Sequence, residues 1–487
     1  MFIFKRNLII FFIFLIIITT FILKISNDNF ISVDNFSLET IEKNEYKFKM
    51  AKEIKEKWKV KKKDLIIGLL ELDKYVLENG DIYYIIHYEP IKNVKENLKI
   101  NLSFKFDDFN YHYIDYKDKI NYKDPLWIHK EKENPMPKAS VFIDSKEKSC
   151  FLSYTNVFNN KKKGVREEDI DLSTSIKMNK EKIVLSLPNK NNTIVEQWGI
   201  ISKENLVNWD NKEITDLLKR MDLNRVRKWG YDGLYYKVPK SYYPSNSKSF
   251  WRNPAFHVGN KFLDYNVRFL KDFSIISLYT ALNTQNKKGI WFSSPRSEWL
   301  YDDYNIDGPF YDTRFNTDAA LFLIRGFRKY NDNLLLKGAI NYGDFFVEYA
   351  KTHNFKTKSK GYLVWDYANK DFSIIPNHVS LNHLVNEINF LYELFIDSDD
   401  EKYLNIALKL KLAIKDTAKD WIKENGDLHY AHLVNRGYGL KDYKLLTLKD
   451  LQYSQSLFKK VDGKVDNAFN LLIDNKEKYL KEKKIIN

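Results

Sequence analysis

The chain has 487 residues, of which 44% are hydrophobic, 15% aromatic and 30% charged. This composition excludes a disordered stalk, and typical domains of roughly 100–200 residues make two domains the expectation. The 79 basic residues outnumber the 65 acidic ones, giving a net charge of +14 that favours an anionic partner. A compositional bias toward lysine on solvated faces is the simpler alternative.

The first 26 residues have the pattern of a membrane segment. Lys5 and Arg6 precede an uncharged run, residues 7–23, that is made largely of Ile, Leu and Phe. A spanning helix needs roughly 17–25 such residues, so we predict an N-terminal transmembrane helix in residues 1–26. A cleaved signal and a buried helix are the alternatives. Basic residues before the span place the rest of a single-pass membrane protein on the extracytoplasmic side, where no nucleic acid is expected.

Cysteine and metal motifs are nearly absent from the sequence. Cys150 is the one cysteine, and it lies in a strand-like stretch, so we expect a small core residue and no internal disulfide. The sequence contains no CxxC and no HExxH motif. We therefore predict no metal site and no cofactor.

The segment after the membrane helix is predicted to lead into a β domain. Residues 27–62 are polar and then rich in Lys and Glu, which indicates a stalk and a short helix near residues 41–58. Alternation of apolar and polar residues, with turn signals between the runs, predicts an antiparallel β domain over residues 63–205. Residues 206–261 are predicted to connect it to the next domain.

From residue 262 to 487 the apolar spacing becomes helical. One predicted helix face shows the spacing of four and three clearly, and it is formed by Leu335, Ala339, Tyr342, Phe346 and Tyr349. Such helices recur in pairs, which predicts an α/α toroid. The fold class is thus α+β multidomain, with an N-terminal transmembrane helix, an antiparallel β domain and a C-terminal α/α toroid.

One predicted helix lacks basic residues, because no Lys or Arg lies between Lys370 and Lys402. Its polar stripe consists of Asn382, Asn386, Asn389 and Glu393. We predict an inner helix that is enclosed on both sides and whose Asn382 and Asn386 bind substrate in a cavity. The alternative is a buried helix with hydrogen-bonded asparagines.

Three segments between the helices are rich in Tyr, Trp, Asp and Arg. They are residues 299–314, with Tyr301, Tyr304 and Arg314, then residues 362–367, and then residues 429–443. Aromatic rings stack on sugars and Arg pairs with carboxylates, so these segments predict a carbohydrate cleft that uses these three residues to bind substrate. Packing tyrosines and helix-capping aspartates are the alternative interpretation.

From about Ser293 to Tyr479 the sequence resembles the D-glucuronyl C5-epimerases, which convert glucuronate to iduronate within a polysaccharide. The residues that carry the resemblance are Asp442-Tyr443 followed by Leu451-Gln452, then Pro376, Val379, Leu381 and Asn382, and then Leu323 to Phe327.

The resemblance implies roles for specific residues. Tyr443 would be one acid/base residue, and Asp366-Tyr367 would act on the opposite face of the sugar, with Asp371-Phe372 as the choice of a shifted alignment. The family has a Tyr and an Arg before its final Asp-Tyr. Here that spacing selects His429 and His432, while Tyr430 and Arg436 lie close by, so the predicted catalytic residues are Tyr443, Asp366, Tyr367, Tyr430, His432 and Arg436.

We therefore predict a membrane-tethered C5-epimerase acting on an anionic, uronate-containing exported polysaccharide, either as a monomer or as a homodimer. C5 inversion moves a proton from one face of the sugar to the other, so two acid/base groups must flank C5. A polysaccharide lyase begins with the same proton abstraction. A glycoside hydrolase and a non-catalytic polymer-binding protein are the remaining alternatives.

Overall fold

The computed structural model describes residues 30–486, except residues 105–107, 120–121, 132–134, 147, 161–164, 170, 173, 179–181, 224, 238–240 and 254–256. The first part of the chain folds into strands. They are β1 Ile31–Asp34, β2 Ser37–Lys47, β3 Ala51–Lys62, β4 Leu65–Leu77, β5 Ile82–Pro90, β6 Val94–Ser103, β7 Phe109–Asp118, β8 Lys123–Glu131, β9 Val141–Ser145, β10 Ser149–Leu152, β11 Asn156–Asn160, β12 Val165–Glu168, β13 Ser175–Met178, β14 Lys182–Asn189, β15 Thr193–Ser202, β16 Arg227–Gly230, β17 Gly233–Tyr236, β18 Tyr242–Tyr243 and β19 Ser249–Asn253.

The second part of the chain is helical, with short strands between the helices. The helices are α1 Lys212–Arg220, α2 His257–Phe262, α3 Arg268–Asn283, α4 Glu298–Tyr304, α5 Thr313–Tyr330, α6 Asn333–Thr352, α7 Leu381–Ser398, α8 Glu401–Thr417, α9 Leu446–Val461 and α10 Asn467–Glu482, with a 3₁₀ turn at Ala418–Trp421. The strands are β20 Arg296–Ser297, β21 Phe310–Asp312, β22 Asn354–Lys356, β23 Tyr362–Val364, β24 Tyr367–Asn369, β25 Val379–Ser380, β26 His429–Leu433 and β27 Gly437–Lys441.

The β domain consists of two packed antiparallel sheets, as predicted. The smaller sheet has the order β1-β6-β14-β13, and the larger one runs β16-β17-β19-β12-β11-β15-β10-β9-β7-β8, with β2-β3-β4-β5 joined to it through β15. A core of buried Ile, Leu, Val and Tyr side chains lies between the sheets. Cys150 is fully buried in this core, which confirms the prediction for it.

The boundaries of the β domain differ from the predicted ones. The stalk and short helix predicted in residues 27–62 are wrong, because residues 37–62 form the hairpin β2-β3. Lys and Glu favour helices locally, but here β3 pairs with β4, and cross-strand ion pairs such as Lys59–Glu39 at 2.9 Å occupy the solvent side. The connecting segment 206–261 supplies β16, β17 and β19 to the large sheet.

No helix in the described part of the chain has both the length and the apolar character needed to cross a bilayer. The segment predicted to do so, residues 1–26, lies outside the described residues. The structure therefore does not support the predicted transmembrane helix or the single-pass membrane location that was inferred from it. The described fold is a β-rich domain followed by a helical one.

The helical domain consists of antiparallel pairs in two layers. The pairs α5/α6, α7/α8 and α9/α10 are each in contact, and α7 also packs against both α5 and α9. This order makes α5, α7 and α9 an inner layer and α6, α8 and α10 an outer one, as in an arc of an α/α toroid. Every residue of α7 from Leu381 to Leu394 is buried, which confirms that this helix is enclosed.

Helix α3 joins the two domains. Its Phe273 ring lies 5.6 Å from the ring of Trp198 and 4.9 Å from that of Trp229, both on the large sheet. Its other side packs against α5 and α6. One hydrophobic core therefore continues from the sheet into the helices. This continuity places strands β17 and β19 beside the beginning of α5.

Candidate active site

The candidate site lies where the three inner helices begin. Short strands or turns lead into each of them: β21 ends at Asp312 before α5, β25 ends at Ser380 before α7, and residues 442–445 precede α9. The Asp312 carboxylate caps α5 by accepting a hydrogen bond from the Phe315 backbone N–H at 3.0 Å. All three helix starts lie at the same end of the domain.

Asp366, predicted to be catalytic, is an enclosed carboxyl of this site. It is fully buried, and its carboxylate accepts hydrogen bonds from the Ser380 backbone N–H at 2.9 and 3.0 Å and from the Ser380 hydroxyl. Its own backbone carbonyl accepts the Thr313 N–H at 2.9 Å. Burial raises the pKa of Asp366 well above its ordinary range, although the bonds from Ser380 oppose this shift.

Two histidines that the sequence analysis missed lie beside Asp366. Its Oδ2 is 3.4 Å from His378 Nε2 and 3.6 Å from His383 Nδ1, and His383 Nδ1 is 2.9 Å from the Thr313 hydroxyl. Burial lowers the pKa of His378 to about 3 and that of His383 well below its ordinary value. Both rings are therefore neutral at physiological pH.

Two predicted catalytic tyrosines contact His378, and a third contacts one of these two. The His378 ring is 5.3 Å from the ring of Tyr367 and 6.3 Å from that of Tyr430, and Tyr430 meets Tyr443 nearly at right angles with 5.8 Å between the ring centroids. Tyr367 is buried, whereas Tyr443 is 52% exposed. The structure thus brings together Asp366, Tyr367, Tyr430 and Tyr443, and opens the cluster to solvent at Tyr443.

The phenols of this cluster are protonated at neutral pH. Burial raises the pKa of Tyr443, with a further rise caused by Asp312 and a smaller opposing effect of Arg314. Burial and the charge of Asp366 raise the pKa of Tyr430, and a hydrogen bond with Ser380 opposes them. Arg314 is the cation that would lower the pKa of Tyr443, but burial and the charge of Asp312 outweigh its effect.

The groups of this site whose pKa lies near 7 are carboxyl groups and not phenols. Burial raises the pKa of Asp312 to about 7. Burial also raises the pKa of Glu387 to about 8, and both Glu387 oxygens lack a hydrogen-bond partner among the described residues. Groups with strongly shifted pKa values are common at functional sites. Asp312 and Glu387 therefore indicate a functional site at the beginnings of α5 and α7.

The Arg314 guanidinium is hydrogen bonded to neighbouring residues in this structure. Its Nη1 donates to Asp450 Oδ2 at 2.6 Å and to the Asn382 carbonyl at 2.8 Å, and its Nε donates to Asp318 Oδ2 at 3.2 Å. Asn386 joins the same network by donating to Asp318 Oδ1 at 3.0 Å. Of the predicted substrate-binding residues on these helices, Arg314 and Asn386 therefore hold α5, α7 and α9 together, and Asn382 contributes its carbonyl.

The rest of the polar stripe on α7 is structural. Asn389 donates to the Asp450 carbonyl at 3.0 Å and accepts from the Ser454 hydroxyl at 2.6 Å. The Glu393 carboxylate pairs with Arg328 at 2.5 Å. For these two positions the buried, hydrogen-bonded alternative is correct.

Tyr301 and Tyr304 lie in a groove beside the cluster. They line a cavity of about 780 Å³ together with Asp302, Asp303 and Arg436. The Tyr304 ring is 5.5 Å from the ring of His378, so the groove begins at the tyrosine cluster. Predicted substrate-binding and catalytic residues from two separate segments thus share one surface.

Two predicted positions lie elsewhere. The His432 ring packs against Phe355 at 5.4 Å and Tyr438 at 5.0 Å, on the outer side of the β26-β27 hairpin. Asp371, from the shifted alignment, is exposed and accepts a hydrogen bond from the Ser373 N–H at 3.1 Å. The unshifted choice, Asp366, is the one in the cluster.

A buried ion pair anchors the segment that carries Tyr443. The Asp442 carboxylate accepts hydrogen bonds from the Lys476 ammonium at 2.8 Å and from the Thr447 hydroxyl at 2.6 Å. Lys476 also donates to Asp427 at 2.6 Å, so α10 and two loops meet at this point. Asp442 is therefore the anchored residue of the segment that carries Tyr443.

A sequence signal could have revealed the missed histidines. Both lie in Pro-Asn-His-Val-Ser-Leu-Asn-His, residues 376–383, within the stretch that has no Lys or Arg. Buried, unpaired polar residues of a site are expected where a chain loses its solvent-facing charges. Ser380 lies between the two histidines in the same stretch.

No protein-family model matches this sequence. Neither does the sequence of any curated protein. Among solved structures, similarity is found to a D-mannose isomerase (16% identity, TM-score 0.35, 45% of this chain and 56% of that one) and to the cellobiose 2-epimerase of Bacillus thermoamylovorans B4167 (14%, 0.36, 47% and 57%). A family 76 glycoside hydrolase from a bovine Bacteroides thetaiotaomicron strain has 10% identity and a TM-score of 0.39, over 91% of this chain and 78% of that one.

All three of these proteins are named as carbohydrate-processing enzymes, and none of the three is a glucuronyl C5-epimerase. The chain spans little more than half the length of the first two. At such low TM-scores and identities the likenesses assign neither the fold nor an activity, so both are argued from the residues themselves.

Proposed function

We propose that this protein is an enzyme that acts on a sugar within an anionic polysaccharide, and that its reaction is inversion of uronic acid residues at C5. The observation that carries the proposal is the meeting of Tyr430 and Tyr443, with ring centroids 5.8 Å apart, in front of the buried Asp366. Two phenols from different elements supply two separate sites for proton exchange with one carbon.

The surroundings of Ser380 support the assignment of Tyr430 as the base. The Ser380 hydroxyl donates to the Asp366 carboxylate, and the same hydroxyl opposes the rise in the pKa of the Tyr430 phenol. Tyr430 passes its proton through Ser380 to Asp366, and the resulting phenolate removes the C5 proton. The step starts from ionised Asp366, which is a stronger base than an exposed aspartate because burial raises its pKa.

Tyr443 supports the second half of the reaction. Its pKa is raised, so its phenol enters the reaction protonated and donates a proton to the opposite face of C5. The C5 carbanion is thereby quenched with inverted configuration, and solvent returns a proton to the exposed Tyr443. Release of the proton held by Asp366 back to solvent restores the starting state.

The proposal requires a movement of the segment that carries Tyr443. The rings of Tyr430 and Tyr443 are in edge contact, so a sugar ring cannot lie between them in this conformation. Residues 442–446 include four exposed positions, and Asp442 is the buried anchor. An outward rotation about Asp442 would separate the phenols and admit the substrate.

The test is incubation of uronate-containing polymers with the protein in deuterated water. Incorporation of deuterium at C5 without chain cleavage is expected for wild type. Tyr430→Phe and Tyr443→Phe should each lower the rate about 10²- to 10⁴-fold, which is the usual contribution of one acid/base group. Tyr46→Phe, at an exposed position of β2, is the matched control and should react as wild type does. Absence of C5 exchange across a broad panel of uronate polymers would overturn the proposal.

A glycoside hydrolase is the second candidate, and one observation favours it. Asp302 and Asp303 are exposed carboxyls that line the groove of about 780 Å³ beside Arg436. A hydrolase needs two carboxyls roughly 5–9.5 Å apart across the scissile bond. The same incubation separates the candidates, since new reducing ends without C5 deuterium indicate hydrolysis. An unsaturated product that absorbs in the ultraviolet indicates a lyase.

A further inference from the structure

An exposed tyrosine lies next to α4, the helix that forms one wall of the groove beside the tyrosine cluster. Tyr243 belongs to β18, which pairs with β20 so that Tyr243 is opposite Arg296. Its neighbour Tyr242 packs on the cluster of buried apolar side chains that includes Tyr367. Because successive side chains of a strand point to opposite sides, Tyr243 points away from that cluster and into solvent.

The Arg296 guanidinium connects Tyr243 with the groove wall. Its Cζ lies 4.1 Å from the ring centroid of Tyr301 and 5.5 Å from that of Tyr243. Both distances are within the roughly 6 Å of a cation–π interaction. Glu298 accepts hydrogen bonds from Nε and Nη2 of the same guanidinium, each at 3.2 Å. The charge of Arg296 is therefore paired, and its contribution here is to orient the two rings.

Helix α4 continues this row of rings to the tyrosine cluster. Tyr301 and Tyr304 are three residues apart, which places them on the same side of the helix. Both line the groove of about 780 Å³. The Tyr304 ring is 5.5 Å from that of His378, whose ring is 5.3 Å from that of Tyr367. Contacts between rings therefore lead from the cluster along the groove to Tyr301, and through Arg296 to Tyr243.

The two outer rings keep free surface. Tyr243 is 63% exposed and Tyr301 is 38% exposed. A single exposed tyrosine is common on protein surfaces. Here, however, two tyrosines and an arginine are ordered together, which costs conformational entropy, and cation–π contacts at exposed sites are weak. Aromatic rings that are held in place and left open to solvent are typical of binding sites.

The size and the lining of the groove indicate a polymer as its occupant. Sites for drug-sized ligands have volumes of about 300–1,000 Å³, and such ligands are larger than one sugar ring. The groove therefore has room for more than the sugar that reacts. Its lining combines Tyr301 and Tyr304 with the charged side chains of Asp302, Asp303 and Arg436. Aromatic rings among polar groups suit a sugar, which has apolar ring faces and polar hydroxyl groups.

We propose that Tyr243 and Tyr301 form a stacking subsite for a sugar unit of the polysaccharide outside the tyrosine cluster, with Arg296 as the positioning residue that holds both rings. The choice of polymer rests on the proposed function. Stacking on a ring face does not require a charge on the sugar, so the subsite selects for the length of the chain and not for its carboxyl groups.

The test is calorimetric titration of the full chain with uronate oligosaccharides from a disaccharide to an octasaccharide. Tyr243→Ala should weaken binding of the octasaccharide about 3- to 10-fold, as expected for the loss of one aromatic contact, and leave the disaccharide unchanged. Tyr243→Phe keeps the ring and should bind as wild type does. Tyr46→Ala is the matched control, since Tyr46 is 47% exposed on β2 and lies under the Lys55 ammonium at 6.0 Å.

Variants of Arg296 test the positioning role. Arg296→Gln releases both rings and should weaken binding of the octasaccharide without affecting the disaccharide. Arg296→Lys retains a cation for the two rings and should recover part of the loss. A loss of equal size at every length in either alanine or glutamine variant would show that the residue acts on the fold and not on the subsite.

The subsite is overturned if Tyr243→Ala binds every oligosaccharide as wild type does, or if wild type binds none. The same series with carboxyl-reduced, neutral oligosaccharides separates this result from failure of the proposed reaction. A length-dependent loss in Tyr243→Ala without C5 deuterium exchange, in either series, retains the subsite and rejects the reaction. C5 exchange with binding that does not depend on length retains the reaction and rejects the subsite.

Discussion

The β domain and the helical domain each bury a cluster of ionisable side chains, and the two clusters differ in how their charges are paired. In the β domain, Arg166 Nη1 donates to Glu196 Oε2 at 2.5 Å, and His87 Nδ1 lies 2.7 Å from Glu196 Oε1. At the inner helices, Glu387 has no partner for either oxygen, and neither ring nitrogen of His378 has one, among the described residues.

The pKa shifts of the two clusters run in opposite directions. Burial opposes ionisation of Glu196, but Arg166 and His87 hold its pKa at about 2. Burial likewise opposes protonation of His87, but Glu196 and Glu89 raise its pKa to about 9. In the helical domain, burial without such partners raises the pKa of Glu387 to about 8 and lowers that of His378 to about 3.

This difference separates buried charged groups that stabilise the fold from buried polar groups that can take part in a reaction. The β cluster is ionised and paired, so it behaves as a cross-strand fastening of β5, β12 and β15. The helical cluster is neutral and incompletely paired, so it retains groups that can exchange protons near neutral pH. Removal of one group should therefore destabilise the first cluster, whereas it should change the pH dependence of the second.

The largest expected effect is in the β cluster. Arg166→Met leaves Glu196 buried without its main counterion and should lower the free energy of unfolding by about 3–5 kcal/mol. Urea denaturation at pH 7 measures it. The double variant Arg166→Met, Glu196→Leu should recover much of the loss, and the exposed Lys203→Met should cost little. A loss below about 1 kcal/mol for Arg166→Met would contradict the paired interpretation.

Glu387→Gln sharpens the comparison through pH. The folded pKa of about 8 exceeds the ordinary value of 4.5, so the wild-type protein loses stability as pH rises from about 4.5 through 8. Glutamine does not ionise, and the variant should be spared a loss on the order of 4 kcal/mol. Urea unfolding at pH 5 and pH 9 measures the difference. Glu424→Gln, at an exposed position, should track wild type at both values. Parallel pH profiles of wild type and Glu387→Gln would show that Glu387 is not the source.

His87→Gln differs from Glu387→Gln in the pH at which the variant and wild type converge. The folded pKa of about 9 exceeds the ordinary 6.5, so the stabilisation by protonated His87 is complete below pH 6.5 and is lost as pH rises through 9. The variant should be less stable than wild type by about 3 kcal/mol at pH 6, and the two should converge near pH 10. Thermal unfolding across this range tests the sign. Convergence at low pH instead would refute the assignment of His87 as a cation.

The smallest effect is expected for a surface ion pair. Lys52 and Glu45 pair at 2.6 Å on the β2-β3 hairpin, but both side chains are nearly half exposed. Lys52→Gln should change the free energy of unfolding by about 0.5 kcal/mol or less, and less still in high salt. Denaturation in low and high salt measures it. A change as large as that of Arg166→Met would remove the distinction between buried and exposed pairs.

Several features of the fold could be predicted from sequence because they depend on local periodicity. The helical spacing of residues 335–349 lies within α6, and the run without Lys or Arg, residues 371–401, contains the enclosed helix α7. The antiparallel character of the β domain followed from alternation of apolar residues. The spacing of apolar residues along the chain shows which face of a helix or strand is buried, and this spacing can be read from neighbouring residues in the sequence.

Other features depended on pairing between distant segments. Residues 41–58 have the composition of a helix, and only hydrogen bonding of β3 to β4 makes them strands. The predicted membrane helix has no counterpart among the described helices. Arginine is a residue type expected to bind an anionic substrate, but Arg314 forms ion pairs with Asp318 and Asp450 instead.

The sequence by itself determined which residue types this protein sets at the beginnings of its inner helices, including Asp366, Tyr430 and Tyr443. Only the tertiary structure decided that these residues meet and that His378 and His383 join them. It also decided that Arg314 and Asn386 serve the helix interface. The physical reason is that ionisation and hydrogen bonding depend on burial and on partners from remote segments, and neither property is encoded in local spacing.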